Sequence, residues 1–474
     1  MRVAILSSEA VPFAKTGGLG DVAGALPKAL RSVGVDSLLI VPLFEQTDRN
    51  LLRERVIDNL EVEWAGGDKR ASVWLSDAAG APTFLIDAPE YFARSSVYGF
   101  NDDHERFAFF CRAALALLKR LGAPPDIVHL NDWPGGFAAV ELKVRRGLDP
   151  FYHHTRTLFS IHNLAYHGSF APRDLDRLGF NTPERREPFM MEGAASALKA
   201  GLMTSDMLST VSRRYSFEIQ TPEFGHGLEW ILRARRDRLV GITNGVDYDV
   251  WNPETDPHLA AHFNADDLSG KRMCKLDLLR RYHLPEDLDR PIIASISRLT
   301  GQKGFDLVKE AAGQILATGA FFISLGSGAR EYEDFFQAMR DHAPRQVGTY
   351  RGFNEPLSHQ IEAGADIFLM PSQFEPCGLN QMYSLRYGTV PVVRATGGLD
   401  DTVEDFDRSR GTGNGFKFGA YSASAMLEKI SEALYCYAEP ETWRKIQLNG
   451  MRTDHSWQAA AQKYLELYAA AARM

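Results

Sequence analysis

The chain has 474 residues and a formal net charge of −8; 45% of its residues are hydrophobic and 24% are charged. This length exceeds one ordinary core, so we expect two domains, and the acidic balance argues against a general nucleic-acid binder. No apolar run reaches membrane-spanning length, and no secretory signal is recognisable. The four cysteines are scattered without a C-x-x-C pair, which indicates neither a zinc site nor a disulfide framework and favours a cytoplasmic location.

The first predicted strand, residues 3–7, precedes the glycine-rich stretch "AKTGGLGDVAG" at 14–24, and a helix is predicted over 20–33. Glycine in the first turn of a helix costs about 1 kcal/mol relative to alanine, so something requires bare backbone there. Backbone N–H groups at a helix N-terminus attract anions, and Lys15 adds a mobile positive charge. The stretch is either an anion or sugar-phosphate loop or a flexible turn. Pro27 predicts a kink or a restart of the helix.

The same glycines also fit a dinucleotide-binding pattern, as Gly18-x-Gly20-x-x-Ala23. In that motif the first glycine follows the strand directly, whereas residues 9–16 intervene here. Such a fold also requires an acid at the end of its second strand, and Glu45 is only loosely placed for that role. The dinucleotide interpretation is therefore the weaker one.

Strand and helix patterns alternate along the rest of the chain, which predicts parallel sheets flanked by helices. The predicted strands of the first half are 3–7, 36–41, 83–87, 126–130, 157–161 and 207–211. Those of the second half are 291–297, 321–326, 347–353, 366–371 and 390–393. A polar segment over 245–290, with one helix near 267–282, separates two doubly wound domains. The end of the chain, from Trp457, is an alanine-rich amphipathic helix.

Polar residues gather where predicted strands end, which is where open parallel sheets bind ligands. They are Asp132, His162, Asn244, Arg298, Lys303 and Glu375, the last preceding the turn Cys377-Gly378-Leu379. Arg298 and Lys303 suit a pyrophosphate, because arginine supplies a fork of donors and lysine a point charge. The turn offers a further helix N-terminus to phosphate. Asp132, His162 and Glu375 are suited to sugar hydroxyls, so a cleft between the two domains is predicted.

Simpler interpretations stay open for these residues. Arg298 and Lys303 also fit surface charges on a helix over 304–317, His162 fits a capped loop histidine, and Glu375 fits a turn residue. Cys377 is expected to act as a small buried hydrophobe. The five-residue spacing of His162 and His167 does not stack on one helix face, and we infer no required metal.

Taken together, the motifs resemble those of the bacterial glycogen synthase family, the ADP-glucose-type starch/glycogen synthases. The matching stretches run in family order from residue 7 to residue 457: "SSEAVPFAKTGGLGDVAGALP", "HLNDWPGG", "SIHNLAYHG", "LSTVS", "TNGVDYDVWNPETD", "ISRLTGQKGFDL", "FEPCGLNQMYSLRYGTVPVVRATGGLDDTV" and "SW". The resemblance implies an α/β fold of the GT-B type, with two Rossmann-like doubly wound domains facing across a cleft. It implies an N-terminal domain over 1–244, a nucleotide-sugar-binding domain over 245–456, and a helix over 457–474 that packs back on the first.

The resemblance further implies glucosyl transfer from ADP-glucose to the non-reducing-end 4-hydroxyl of an α-1,4-glucan, with retention and without a metal or other cofactor. The residues that it assigns to the donor are Lys15, Gly18, Asp21, Asn244, Arg298, Lys303, Cys377, Gly378 and Leu379. It assigns Asp132 and His162 to the glucose and acceptor side, and Glu375 to the glucosyl hydroxyls. The implied catalytic set is His162, Glu375, Arg298 and Lys303. No nucleic-acid or membrane partner is implied, and the sequence gives no oligomeric state.

Five residues depart from the common family pattern. Gln373 stands where arginine is frequent, Asn380 stands for threonine and Asp400 for alanine, and Trp230 and His167 replace a small residue and a glutamine. The first two border the phosphate turn, so donor preference is the property that they affect. The alternatives are therefore another nucleotide-sugar transferase, using UDP-glucose, and a non-catalytic glucan-binding protein. Tyr383 replaces the second acid of the Glu-x7-Glu signature, which favours the synthase family over sucrose- and trehalose-type transferases.

Overall fold

The computed structural model describes residues 1–474. The chain divides into two units, which we call unit 1 and unit 2. Unit 1 comprises Met1–Gly245 together with Trp457–Met474, and unit 2 comprises Val246–Ser456. None of the helices has the length and apolar composition that crossing a bilayer requires.

Unit 1 is built on twelve strands. They are β1 (Arg2–Leu6), β2 (Asp36–Pro42), β3 (Glu54–Val62), β4 (Lys69–Ser76), β5 (Thr83–Asp87), β6 (Ile127–Asn131), β7 (Arg156–Ile161), β8 (Ser169–Phe170), β9 (Met190–Met191), β10 (Ala194–Ser196), β11 (Met207–Thr210) and β12 (Leu239–Gly241). Nine of them form one sheet in the order β12-β11-β7-β6-β1-β2-β5-β4-β3, and β8-β10-β9 form a small separate sheet. The central pairs are parallel, whereas β3 and β4 form an antiparallel edge.

The helices that precede and follow these strands are mostly short. They are α1 (Gly18–Ser32), α2 (Pro89–Phe92), α3 (Asp103–Arg120), α4 (Asp132–Leu148), α5 (Asp174–Arg177), α6 (Pro183–Arg186), α7 (Ala197–Thr204), α8 (Arg213–Glu218) and α9 (Glu229–Ala234). After β1 and β2 the chain forms the β3–β4 hairpin at one edge of the sheet and returns inward at β5. It then crosses to the other side of β1 at β6 and continues through β7, β11 and β12. The boundary between β1 and β6 is therefore the switch point, where open α/β sheets bind their ligands.

Unit 2 repeats this plan with a six-stranded, wholly parallel sheet in the order β15-β14-β13-β16-β17-β18. Its strands are β13 (Ile292–Ile296), β14 (Phe321–Gly326), β15 (Val347–Arg351), β16 (Ile367–Met370), β17 (Val390–Arg394) and β18 (Phe416–Phe418). Its helices are α10 (Ser269–Arg281), α11 (Phe305–Glu310), α12 (Ala312–Ala317), α13 (Arg330–His342), α14 (Glu355–Gly364), α15 (Asn380–Arg386), α16 (Gly397–Thr402), α17 (Ala423–Tyr437) and α18 (Pro440–Met451). The switch point lies between β13 and β16.

The last helix, α19 (Trp457–Ala472), belongs to unit 1. Trp457, Tyr464 and Tyr468 are buried in one hydrophobic cluster with the apolar face of α1. A buried hydrogen-bond chain fixes the helix to the sheet, because the Tyr468 hydroxyl bonds His129 Nδ1 at 2.8 Å and His129 Nε2 bonds Ser160 Oγ at 2.6 Å. The helix therefore completes the core of unit 1.

Three features differ from the sequence expectations. Helix α1 begins at Gly18 and runs through Pro27 without a restart to Ser32, because Val22, Leu26 and Leu30 bury one continuous face on either side of the proline. The helix expected over 304–317 is divided into α11 and α12. The β3–β4 hairpin was not expected, since most of β3 is exposed and polar and only Leu60 and Val62 are buried.

Candidate active site

The glycine-rich stretch lies directly beyond β1, at the switch point of unit 1. Gly17 is the extended N-cap residue of α1 and supplies no side-chain cap of its own. Instead, Glu9 Oε2 accepts hydrogen bonds from the backbone N–H groups of Thr16 and, at 3.2 Å, Gly17. Lys15 Nζ bonds Asp21 Oδ1 at 2.7 Å, across the first turn of the helix. The loop is thus held from inside by a carboxylate and presents an exposed ammonium outside.

One glycine of this stretch is required by a close approach of the backbone. A Cβ atom on Gly24 would lie 2.5 Å from the Val11 carbonyl oxygen, and Val11 N–H donates to the Gly20 carbonyl at 3.0 Å. Only glycine lets residues 9–14 lie this close to α1. This contact is one structural reason for a glycine in the stretch over residues 14–24.

Asp132 occupies the matching position beyond β6. It is the first residue of α4 and adopts a left-handed φ of 52°, a strained conformation for a residue other than glycine that is frequent at functional sites. Its Oδ1 accepts the N–H of His162 at 2.7 Å and that of Asn163 at 3.4 Å. Desolvation by the surrounding protein raises the pKa of the Asp132 carboxyl to about 7, against the lowering effect of these two bonds.

His162 is held in one tautomer by Asn131. Asn131 Nδ2 donates to the Leu6 carbonyl at 3.0 Å, so its Oδ1 faces His162 Nε2, which lies 2.8 Å away. An amide oxygen only accepts, so Nε2 carries the proton and Nδ1 is an acceptor. Desolvation lowers the pKa of His162 to about 4, which keeps the ring neutral near pH 7. The histidine can accept a hydrogen bond from a hydroxyl at Nδ1.

Asn244 follows β12 and is 6% exposed. Its Oδ1 is buried and has no hydrogen-bond partner in the chain. Buried polar atoms are nearly always paired, so an acceptor left without a partner is available to a ligand hydroxyl or amine.

Lys303 and Glu375 are brought together at the switch point of unit 2. Lys303 Nζ lies 2.6 Å from Glu375 Oε2, which also accepts a bond from Ser372 Oγ at 3.1 Å. The turn Gly301–Lys303 ends at Gly304, whose φ is 74° and where a Cβ atom would collide with the Pro371 carbonyl. Because Gly304 lies this close to Pro371, the turn that carries Lys303 packs against the residues that follow β16. Glu375 is 6% exposed.

The turn at Cys377-Gly378-Leu379, which the sequence predicts to bind phosphate, is fixed by two amide side chains. Gln381 Nε2 donates to the Cys377 and Gly378 carbonyls, both at 3.1 Å. Asn380 Nδ2 donates to the Ile296 carbonyl at the end of β13, at 2.8 Å. The departure from the family pattern at Asn380 therefore cross-links the two segments that flank the switch point.

Arg298 lies just beyond β13, is exposed, and makes no side-chain hydrogen bond or ion pair within the chain. Its guanidinium is thus available to an anion. Nowhere do three His, Cys, Asp or Glu side chains gather as metal ligands would. Sequence reasoning gave no role to Glu9, Asn131 or Ser372, whose side chains hold parts of the site in place. All three carry the same signal as the predicted residues, since each lies at or shortly after the end of a buried strand.

The two Rossmann-like units, each with its polar side chains beyond the strands of a switch point, are those of a glycosyltransferase of the GT-B class. Residues 2–234 match the family described as "Starch synthase catalytic domain", and residues 280–448 match "Glycosyl transferases group 1". The chain is 45% identical to a glycogen synthase of Anaeromyxobacter sp. (strain Fw109-5), with 99% of both chains covered. It is 43% identical to a glycogen synthase of Moorella thermoacetica, with 99% of this chain and 96% of that protein covered.

Among solved structures, the catalytic domain of Starch Synthase IV from Arabidopsis thaliana, bound to ADP and acarbose, matches with a TM-score of 0.92 and 34% identity, covering 100% of this chain and 99% of that one. A sucrose-phosphate synthase from Thermosynechococcus elongatus shares the fold, with a TM-score of 0.61, 18% identity and 99% of both chains covered. The chain therefore belongs to the bacterial glycogen synthase family and is a hexosyltransferase of the starch/glycogen synthase type. The predicted family and the predicted GT-B class are confirmed.

Proposed function

We propose that the protein transfers glucose from ADP-glucose to the non-reducing-end 4-hydroxyl of an α-1,4-glucan, with retention of configuration. The observation that carries this proposal is the Lys303–Glu375 pair, together with the unpaired Arg298, which follows the same strand β13 as Lys303. It combines cations for a diphosphate with a carboxylate for sugar hydroxyls. The relatives named glycogen synthase and the neighbour bound to ADP support the choice of donor and acceptor.

In unit 2 the proposed roles follow from charge. Arg298 and Lys303 stabilise the negative charge that develops on the leaving ADP. The N–H groups of the turn at Gly378 and Leu379 bind phosphate oxygens, with Cys377 packed behind them. Glu375 is positioned by Lys303 and Ser372, and it binds hydroxyls of the transferred glucose.

In unit 1 the proposed roles follow from hydrogen-bonding capacity. Lys15, Gly18 and Asp21 belong to the donor site, and the unpaired Oδ1 of Asn244 accepts from the transferred sugar. Asp132 and His162 line the glucose and acceptor side, where His162 Nδ1 accepts a hydrogen bond from a sugar hydroxyl. We further propose that residues 1–244 and 245–456 act as the acceptor-side and nucleotide-sugar domains, with the helix over 457–474 belonging to the first.

The reaction balances without a protein nucleophile. The bond between the glucosyl C1 and the phosphate oxygen breaks, and its electron pair leaves with ADP. The acceptor 4-hydroxyl oxygen bonds to C1 from the face that the leaving group occupied, and its proton passes to a phosphate oxygen. Retention follows from this same-face attack.

We propose that no divalent metal takes part and that the protein acts in the cytoplasm. The cationic side chains at residues 298 and 303 supply the charge that a metal otherwise provides at a diphosphate. None of the four cysteines forms a disulfide, which supports a reducing compartment. Transfer is expected to persist in EDTA, and complete loss that a divalent ion restores would contradict the metal-free assignment.

The deciding experiment measures radiolabelled glucose transfer to glycogen from ADP-glucose and UDP-glucose side by side. We expect a clear preference for ADP-glucose, with the product digested by an α-1,4-specific glucosidase. Equal or better use of UDP-glucose would establish the alternative donor. Glycogen binding without transfer from either donor would establish a glucan-binding protein instead.

A further inference from the structure

Glu9 is a buried acid that the proposed mechanism does not use. It is 3% exposed and lies between β1 and the glycine-rich stretch. One oxygen of its carboxylate accepts the N–H groups of Thr16 and Gly17. These donors belong to the N-cap residue of α1 and to the residue before it. Glu9 therefore accepts the N-cap N–H, as the N3 glutamate of a capping box does, but it does so from upstream of the helix and ties the loop to the segment that follows β1.

We infer that Glu9 is a positioning residue whose ionised carboxylate holds residues 15–18 in the conformation that receives the donor. The inference rests on the proposed function, because it requires this loop to face the donor. Without the negative charge on this carboxyl, the bonds from the two N–H groups weaken and residues 15–18 are held less firmly. Donor binding must then order the loop, and the cost of that ordering appears as weaker donor binding.

The groups around Glu9 determine the pKa of its carboxyl, and so the pH at which its bonds to the loop weaken. Lys15 and Asp21 face it from the loop and α1, Tyr98 faces it from the segment before α3, and Asp132 faces it from α4. Burial raises the pKa of the Glu9 carboxyl to about 7, the two N–H bonds and Lys15 lower it, and Asp21 raises it further. Acidification below neutrality protonates Glu9 and weakens its hold on the loop.

The test is the Michaelis constant for ADP-glucose, measured at saturating glycogen for the wild-type protein, Glu9→Gln and Glu9→Asp. The loss of charge in Glu9→Gln is expected to raise this constant about tenfold at pH 8, with kcat and the glycogen constant little changed. In the wild type the Michaelis constant for ADP-glucose should rise as pH falls through about 7. It should approach the value for Glu9→Gln, which is not expected to depend on pH. The diphosphate diester of ADP-glucose has no group that titrates in this range, so the protein causes the change.

Two controls distinguish the positioning of the loop by Glu9 from a general loss of stability. Asp149→Asn removes a carboxylate that accepts the Phe151 N–H at 3.1 Å in the same unit, and it should leave the donor constant unchanged. Glu9→Asp keeps a carboxylate on a shorter stem, so the donor constant should be intermediate and still pH-dependent. Hydrogen exchange of the peptide over 10–24 should accelerate in Glu9→Gln and be unchanged in Asp149→Asn.

Asp132 titrates in the same pH range and holds His162 and Asn163, so its share is separated with Asp132→Asn, in which the acid rise of the donor Michaelis constant should persist if Glu9 causes it. A donor constant within twofold of wild type in Glu9→Gln, with the acid rise intact, overturns the inference. A fall in kcat alone in both Glu9 variants also overturns it, and if Glu9→Gln does not fold, Glu9→Asp decides. If the wild type transfers no glucose from ADP-glucose, the proposed function fails. The hydrogen-exchange measurement still shows whether Glu9 holds the loop over residues 15–18.

Discussion

Unit 1 and unit 2 place their polar residues at equivalent switch points, β1/β6 in unit 1 and β13/β16 in unit 2, and hold them by different means. In unit 1, two carboxyls accept hydrogen bonds from backbone N–H groups. Glu9 binds those of Thr16 and Gly17, and Asp132 binds those of the two residues that follow β7. In unit 2, the carboxylate of Glu375 is paired with a cation instead.

Glycine contacts hold the loops in both units, at Gly24 in unit 1 and at Gly304 and Gly397 in unit 2. A Cβ atom on Gly304 would collide with the Pro371 carbonyl, and one on Gly397 would collide with the Glu375 carbonyl. Backbone packing of this kind does not titrate, whereas the carboxyls of unit 1 have pKa values near 7. The same sheet topology thus supports buried carboxyls with raised pKa values that bind backbone N–H groups in unit 1, and a buried carboxylate that binds a lysine in unit 2.

The largest expected effect comes from removing a cation of unit 2. Arg298→Ala and Lys303→Ala should each lower kcat by roughly two to three orders of magnitude, because each removes one donor that the proposed function assigns to the leaving diphosphate. Steady-state transfer from ADP-glucose to glycogen measures this loss. Lys309→Ala, which removes an exposed lysine of α11, is the matched control and should stay within about twofold of wild type.

Stability separates the two cation variants. Lys303→Ala leaves the buried Glu375 carboxylate with Ser372 alone, so its thermal midpoint should fall. Arg298 has no partner in the chain, so Arg298→Ala should melt like the wild type. Near-normal turnover in both variants would remove the assignment of charge stabilisation to unit 2.

A smaller effect is expected from the pH sensitivity of unit 1. The pKa of Asp132 is about 7 in the folded protein and about 3.9 in an unfolded chain. The folded state therefore binds the proton more tightly, and the share of Asp132 in the free energy of unfolding falls as pH rises from about 4 to about 7, by at most ~1.4 kcal/mol per pH unit. Above that range this share is constant.

Urea unfolding of the wild type and of Asp132→Asn over this pH range tests the sign. The stability difference, wild type minus variant, should decrease as pH rises and then level off. The Michaelis constant for glycogen should rise below about pH 7, because protonation of Asp132 deprives the His162 and Asn163 N–H groups of an ionised acceptor. A difference that increases with pH would show that Asp132 is stabilised as a carboxylate, and unit 1 would then resemble unit 2.

The sequence predicted the parallel core well, because strands such as β1, β6 and β13 are near-continuous apolar runs that are buried along most of their length. It did not predict the β3–β4 hairpin, whose residues are mostly exposed and polar. An edge hairpin of that kind is specified by pairing with its neighbour and not by its own pattern.

For the site, residues at strand ends could be found from the sequence, and Asp132, His162, Arg298 and Glu375 were. Their partners could not be found, since Lys303 and Glu375 are 72 positions apart and meet only through the sheet topology. The tautomer of His162 likewise depends on which way Asn131 points. The roles of single residues in transfer stay predictions.

A third test compares one buried tyrosine hydroxyl in each unit. In unit 1 the Tyr468 hydroxyl bonds the neutral His129 at 2.8 Å, whereas in unit 2 the Tyr387 hydroxyl donates to an Asp256 oxygen at 2.6 Å. Tyr468→Phe should cost about 1 kcal/mol and Tyr387→Phe about 2 kcal/mol, because a bond to a charged acceptor is the stronger one. Urea unfolding measures both, and kcat should change little. The reverse order would show that the unit 2 bond is not charge-assisted.

The smallest change is expected from Cys377→Ser, at the phosphate turn of unit 2. Cys377 is 5% exposed and lies between Pro376 and Gly378 in the turn, so a bulky adduct on its sulfur should displace the turn. Serine is nearly isosteric and should keep kcat within about threefold while removing inactivation by thiol reagents. The matched control is Cys436→Ser, at a buried position in α17, which should leave that sensitivity intact. ADP-glucose should slow inactivation of the wild type if the adduct blocks the donor. A Cys377→Ser protein as inactive as Glu375→Ala would instead give the sulfur a chemical role, and the activity of unit 2 would then depend on more than its charges.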